Sequence, residues 1–204
     1  SWPVSDALEA KLRYTGYVAP PPAAAHPDGL GAGEIIVSAG GGDVGQHVFD
    51  AALAAARLDP DQRQWRLLLG GQDAAKRSGD LMRDAPANVI IEPARPEFRQ
   101  MLYHAAASVS LCGYNTALDI LQSGAAAVFI PFDAGSEVEQ GLRADALAQL
   151  DGIGVLRNSN LSAETLLGAV TAVLDAPRRA PRIDGFDGAV ETVRITLAMR
   201  GEQR

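Results

Sequence analysis

The sequence predicts an α/β fold, a Rossmann-like doubly wound parallel sheet of about six strands with helices on both faces. From residue 34 onward, short apolar runs of strand type alternate with longer Ala- and Leu-rich segments of helical period. The runs are apolar at consecutive rather than alternate positions, so both faces of the sheet are covered. Glycine-rich or strongly polar stretches stand where several strands turn into helices, and in open α/β sheets ligands bind at those carboxyl ends.

In chain order the strands are EIIVSA at 34 to 39, WRLLLG at 65 to 70, NVIIEP at 88 to 93, ASVSLC at 107 to 112, AAVFIP at 126 to 131 and GVLR at 154 to 157. Helical periodicity fits 44 to 58, 72 to 84, 96 to 106, 115 to 123, 137 to 150, 162 to 175 and a last helix near 187 to 199. That last segment is amphipathic, with Val190, Val193, Ile195 and Leu197 available to pack, and is expected as a core helix. Residues 19 to 33, APPPAAAHPDGLGAG, lack periodicity and read as a loop or linker. The expected organisation is therefore 1 to 33 as lead-in and linker, and 34 to 204 as one domain. The chain opens on Ser1 and reads as the continuation of something longer.

Composition removes several function classes. There are 25 acidic against 18 basic side chains, and the only lysines are Lys11 and Lys76. A nucleic-acid partner needs a basic face to neutralise phosphates, so none is expected. One cysteine, Cys112, rules out an intrachain disulfide framework, and one cysteine with three scattered histidines gives no metal-ligand spacing. A reducing, cytoplasmic setting is expected, and no apolar run approaches the roughly 20 residues of a membrane span.

Three strand-to-helix turns carry chemistry. In VSAGGGDVG, 37 to 45, Gly40, Gly41 and Gly42 allow close backbone approach, and the helix that follows offers free N–H groups to an anion such as a diphosphate. Gly40, Gly42 and Gly45 satisfy a G-x-G-x-x-G pattern loosely, and no Lys-Ser/Thr pair follows, which excludes a P-loop. In SLCGYNTALDIL, 110 to 121, Gly113 permits the exit from the strand and Asn115 or Thr116 can cap the helix. Two roles are open to Asp119: a T-x-x-D capping box with Thr116, or a carboxylate that accepts hydrogen bonds from paired sugar hydroxyls. In PFDAGSEVEQGLRADAL, 131 to 147, Glu139 and Gln140 stand in the first turn of a helix, either as a solvated helix start or as polar groups for a hydroxyl-rich ligand.

The glycine loop, GYNTALDILQSGAAAVFIPF and the EQ pair, taken in order, resemble the C-terminal donor-binding domain of GT-B glycosyltransferases of family 28, whose members include the enzyme that adds N-acetylglucosamine to lipid I. That family shows a G-G-S-x-G loop, an S-x-x-G-x-x-T-x-x-E-x-x-x-x-G-x-P segment, a strand ending in P-F and a Q-Q pair. The resemblance runs from about residue 34 to 175, and LRYTGYV at 12 to 18 looks like the family's interdomain strand. It implies that Gly40, Gly41, Gly42, Asp43 and Val44, with Gly113, Tyr114, Asn115 and Thr116, surround the diphosphate of a nucleotide sugar. Asp119 stands where the family binds ribose, Glu139 and Gln140 where it holds the sugar, and the backbone around Arg95 beside the base. The substrate implied is a nucleoside-diphosphate sugar, a UDP-sugar first, with no cofactor and no metal.

Departures accompany the match. The loop Ser is Gly42, the Glu is shortened to Asp119, the first Gln is Glu139, and one extra residue separates PF from EQ; the acid in the sugar pocket suggests a donor other than N-acetylglucosamine, or a different hydroxyl pattern. An arginine cluster for the diphosphate is not evident. The resemblance implies inverting transfer with an N-terminal acceptor-binding domain as partner, and peripheral membrane contact through that half. That half would also supply the general base. None of the histidines is a convincing substitute: His26 lies in the linker, His104 is expected packed on its helix, and His47 follows the glycine loop. Alone, the fragment is expected to bind donor without catalysis. A non-catalytic nucleotide-sugar-binding subunit, a sensor module and a nucleotide-sugar epimerase domain remain the alternatives.

Overall fold

A computed structural model describes residues 4–39, 45–133, 135 and 137–201. The chain divides into two compact units, Ala23–Pro181 and a smaller one formed by Ser1–Pro22 with Arg182–Arg204. In chain order the elements are α1 (Asp6–Glu9), β1 (Ile35–Ser38), α2 (Gln46–Leu58), β2 (Trp65–Leu69), α3 (Ala74–Met82), β3 (Val89–Pro93), α4 (Phe98–Met101), β4 (Ala107–Ser110), α5 (Tyr114–Ser123), β5 (Ala127–Phe129), α6 (Glu139–Leu147), β6 (Ile153–Val155), α7 (Ala163–Asp175) and α8 (Gly188–Gly201).

All six strands lie in the larger unit and pair in parallel in the order β3-β2-β1-β4-β5-β6. The order reverses between β1 and β4, which run in register with Val37 opposite Val109 and Ser38 opposite Ser110. Such a reversal opens a crevice at the carboxyl edge, because the connections on either side leave toward opposite faces.

The consecutive apolar residues of the strands serve both faces, as the sequence predicts. On one, Ile35, Val37, Trp65, Leu67 and Val109 pack with Val48 and Phe49 of α2 and Leu166 and Val170 of α7. On the other, Ile36 and Leu68 meet Met101, while Ala127 and Phe129 meet Ile120 of α5 and Ala144 of α6. Burying each such large side chain contributes about 1.5–3 kcal/mol. The fully buried Trp65 finds a partner for its indole N–H in Asp59 Oδ2 at 3.1 Å. Burial works to raise the Asp59 pKa, but hydrogen bonds from Arg63 and Trp65 hold it below the usual value. Ser162 and Thr165 form a reciprocal capping box at the start of α7.

The helix expected over 96 to 106 ends at Met101. Past it the chain tightens into a turn, with the Tyr103 N–H on Gln100 O at 3.2 Å, and the next carbonyls bond outside the segment: His104 O accepts the Gly33 N–H at 2.9 Å, and Arg178 donates to Tyr103 O and Ala105 O. Gly31, at φ +85°, lies so close that a Cβ there would meet Met101 Cβ at 2.7 Å. His104 therefore sits exposed in a turn, edge-on to Tyr103, rather than packed on a helix.

In the smaller unit, one residue of the segment 12 to 18 pairs, Val18 with Asp187 in an antiparallel bridge, and Gly16 beside it takes φ +79°. Tyr17 packs on Phe186 with ring centroids 6.1 Å apart. The expectation that the last helix is a core helix is corrected: Val190, Val193 and Leu197 of α8 are 72%, 59% and 60% exposed.

Candidate nucleotide site

At the carboxyl edge beside the crevice the larger unit has an open cleft of about 340 Å³. Ser38 from the end of β1, Leu68 and Gly70 from β2, Ala94 and Arg95 from the turn after β3, Phe98 of α4 and Thr116 of α5 line it. The ends of three strands and the starts of two helices thus converge, and the walls are largely apolar with a few polar groups, the usual make-up of a site for a flat ring. Of the residues predicted for the diphosphate, Gly40, Gly41, Gly42, Asp43 and Val44 lie outside the described residues. Gly45, which follows them, is the N-cap of α2.

The β4–α5 turn is well defined, and it corrects one expectation. The N-cap of α5 is Gly113, in extended conformation, and no side chain caps the helix. Neither Asn115 nor Thr116 caps it, and Asp119 falls in the second turn, too deep for a capping box. Glycine brings no side-chain oxygen to the cap, and the positive end of the helix dipole stands at this turn.

Asp119 instead reaches α4. Arg99 Nε donates to its Oδ1 at 2.8 Å, Arg99 Nη2 donates to Gln122 Oε1 at 2.8 Å, and a small recess beside them is lined by Ala23, Gln122 and Ser123. Only 14% of the Asp119 side chain is exposed. Burial pushes its carboxyl above the usual pKa, against the pull of Arg99. Phe98, next to Arg99, and Thr116, one turn before Asp119, both line the cleft, so the pair stands at its border.

Arg95 is at the cleft itself, and its Nε donates to Glu92 Oε1 at 2.8 Å. Glu92 belongs to a buried charge network that sequence reasoning missed. Arg66, in the middle of β2 and 7% exposed, clamps Glu34 with Nε and Nη2 at 2.5 and 2.6 Å and reaches Glu92 with Nη1 at 2.7 Å. The signal was an arginine inside an otherwise apolar central strand.

Glu139 and Gln140 open α6 as predicted, and they are held differently. Gln140 Oε1 accepts the Phe132 N–H at 3.1 Å, which fixes it to the loop after β5. Glu139 is exposed and pairs with Arg143. Arg143 Nη1 donates to Cys112 O at 2.7 Å, and its guanidinium carbon lies 5.8 Å from the centre of the Tyr114 ring. Thus α6 is tied to the β4–α5 turn through a residue that sequence reasoning left out. Burial pushes the Cys112 thiol up to about 11, against the pull of Arg143, so it is no nucleophile at neutral pH. His47 lies partly buried on α2 just past the glycine loop, and His26 Nδ1 accepts the Asp28 N–H at 3.2 Å.

Residues 35–186 match the family model of the glycosyltransferase family 28 C-terminal domain. The chain belongs to glycosyltransferase family 28. A UDP-N-acetylglucosamine--N-acetylmuramyl-(pentapeptide) pyrophosphoryl-undecaprenol N-acetylglucosamine transferase of Brucella anthropi is 33% identical over 149 residues, covering 68% of this chain and 38% of that protein. The chain thus spans about two fifths of the length of the curated relatives it matches. In fold it is similar to the crystal structure of Acinetobacter baumannii MurG, with a TM-score of 0.60 and 19% identity over 80% of this chain and 50% of that one. It is also similar to the spinosyn rhamnosyltransferase SpnG complexed with thymidine diphosphate, with a TM-score of 0.57 and 19% identity over 91% of this chain and 47% of that one. The cleft, both turns and the start of α6 all fall inside the span matched to family 28. Among the described residues, no helix is long and apolar enough to cross a membrane.

Proposed function

We propose that this chain is the donor-binding half of a glycosyltransferase that moves a sugar from a nucleoside-diphosphate sugar to an acceptor held by an N-terminal domain. The observation that carries the reading is the cleft beside the β1/β4 reversal, next to a helix start with no side-chain cap, inside the span matched to family 28. A UDP-sugar is the first donor to try, since the Brucella relative is named for one, and a thymidine diphosphate sugar is the second.

In this reading the base lies against Phe98, Leu68 and the backbone at Ala94 and Arg95. The ribose hydroxyls reach Asp119, which gives up part of its hold on Arg99. The diphosphate spans the glycine loop and the N–H groups of Gly113 to Thr116, and the sugar faces Glu139 and Gln140. As the bond to the anomeric carbon breaks, charge accumulates on the departing diphosphate, where preorganised N–H groups stabilise it most. The acceptor's proton goes to a base from the N-terminal domain, with inversion at the anomeric carbon and without a metal. The setting is the cytoplasmic side of the cell.

Titration calorimetry of the chain with UDP-sugars and thymidine diphosphate sugars, repeated on Asp119→Asn, tests this. The wild type is expected to bind one of them, and the variant at least about tenfold more weakly, the value of a lost charge-assisted hydrogen bond. Because the Asp119 pKa is raised by burial, its contribution to folding is fully present below the unfolded-state pKa and lost as pH rises through the folded value. At neutral pH the carboxylate is therefore a cost to the fold, and Asp119→Asn is expected to keep or raise Tm while it loses binding. On acidification the wild-type affinity should fall while the pH is still above the ordinary aspartate value of about 3.9, and the variant's should stay flat. Equal binding by the two proteins would remove Asp119 from the site.

A further inference from the structure

Among the described residues, three arginines around the cleft and its flanking turn stand beside a carboxylate, and their partners differ in exposure. Arg95 faces Glu92, 19% exposed and already shared with Arg66, and Arg99 faces Asp119, 14% exposed. Arg143 is itself only 19% exposed, yet its partner Glu139 is 74% exposed. A pair with one partner so open to water is held weakly and exchanges at little cost. The guanidinium would not leave with its partner, because the Cys112 carbonyl and the Tyr114 ring hold it from two other sides. Arg143 Nη2 is the nitrogen that meets Glu139, and Nε–H has no acceptor among the described residues. Nε and Nη2 form one edge of the planar fork, the edge with which Arg66 clamps Glu34. That edge matches two oxygens of a phosphate.

We infer that Arg143 is a donor-binding residue: it exchanges Glu139 for the phosphate farther from the nucleoside when a nucleoside diphosphate binds. The inference rests on the donor-site reading of the cleft and adds to it the cation that an otherwise acidic chain brings to a ligand of two to three negative charges. Glu139 is released by the same exchange at the point where the sugar follows the diphosphate, so filling of the phosphate site frees an acceptor for a sugar hydroxyl.

The test is calorimetric titration of the chain with UDP and with UMP, at low and moderate salt, for wild type, Arg143→Gln, Arg143→Lys and Glu139→Gln, with a melting curve for each. Wild type is expected to prefer UDP to UMP. Arg143→Gln should lose about tenfold or more of its UDP affinity and less than about threefold for UMP. Arg143→Lys should fall between, as a point charge without the fork. Glu139→Gln should bind UDP about two- to fivefold more tightly, since the guanidinium is no longer contested. A purely structural Arg143 would give no such tightening. Weaker UDP binding by Glu139→Gln, or equal loss for UDP and UMP in the Arg143 variants, overturns the role of Arg143 and leaves the donor site standing. Should Arg143→Gln fail to fold, the Lys and Glu139 variants carry the same decision. Wild type that binds neither UDP nor, titrated in the same way, thymidine diphosphate overturns the donor-site reading and this inference with it.

Discussion

Arg66→Ala lowers the stability of this chain by about 3–5 kcal/mol, the usual loss when one partner of a buried ion pair is removed. Arg66 lies inside β2, clamps Glu34 with two hydrogen bonds and bridges to Glu92 on the neighbouring β3. Its removal leaves Glu34 facing a low-polarity layer without a cation and Glu92 with Arg95 alone. Replacing Arg66 and Glu34 together by methionine is expected to recover much of the loss, since no uncompensated charge then remains at that end. The acid limb of the stability curve gives a second readout. Burial works to raise the Glu92 pKa, but hydrogen bonds from Arg95 and Arg66 hold it below the usual value. Its contribution is therefore present above the unfolded-state pKa and lost as pH falls through the lowered folded value, so the acid limb should be shallower in Arg66→Ala. Urea unfolding across pH measures both. A loss below about 1 kcal/mol would mean that the network is solvated and not structural.

Gly45→Ala is expected to cost about 1–3 kcal/mol and to remove nucleotide binding. The backbone angle at Gly45, φ −99°, suits any residue; the obstacle is space. A Cβ there would lie 2.3 Å from Ala39 O and 2.5 Å from Ala39 Cβ, so the start of α2 would have to leave the end of β1. The glycine loop connects those two points, and any shift moves the N–H groups proposed to hold the diphosphate. Gly168→Ala in α7 is the control: nothing lies within 4 Å of its Cβ, and alanine there should stabilise by about 0.5–1 kcal/mol. Similar behaviour of the two variants in denaturation and in UDP titration would contradict the close packing.

The sheet was legible because a strand buried on two faces has to be apolar at consecutive positions, as IIV at 35 to 37 and LLL at 67 to 69 are. The crevice was marked in the sequence by its glycines, since glycine stands where backbone must come close, as at Gly45, or where the chain leaves a strand sharply, as at Gly113. Interactions across the sheet were not. Arg66 and Glu34 are 32 residues apart, and Arg99 and Asp119 are 20 apart, so neither pair leaves a local periodicity. The T-x-x-D pattern misled for a local reason: a capping box requires Thr116 outside the helix, and Gly113 starts the helix one residue later, at Tyr114. The turn after α4 was equally hidden, because Arg178 and Gly33, which bond the carbonyls of residues 103 to 105, come from distant parts of the chain. Arg143 is four residues after Glu139 and reads as an ordinary helix pair until the fold brings Cys112 beside it.

The most direct test of a nucleotide site beside the β1/β4 reversal is amide hydrogen exchange on the chain with and without saturating UDP. Protection is expected in three separate segments: the glycine loop into α2, residues 94 to 99, and residues 113 to 119, with β5, β6 and α7 unchanged. Protection confined to other segments at a concentration that saturates binding would place the nucleotide elsewhere and contradict the account.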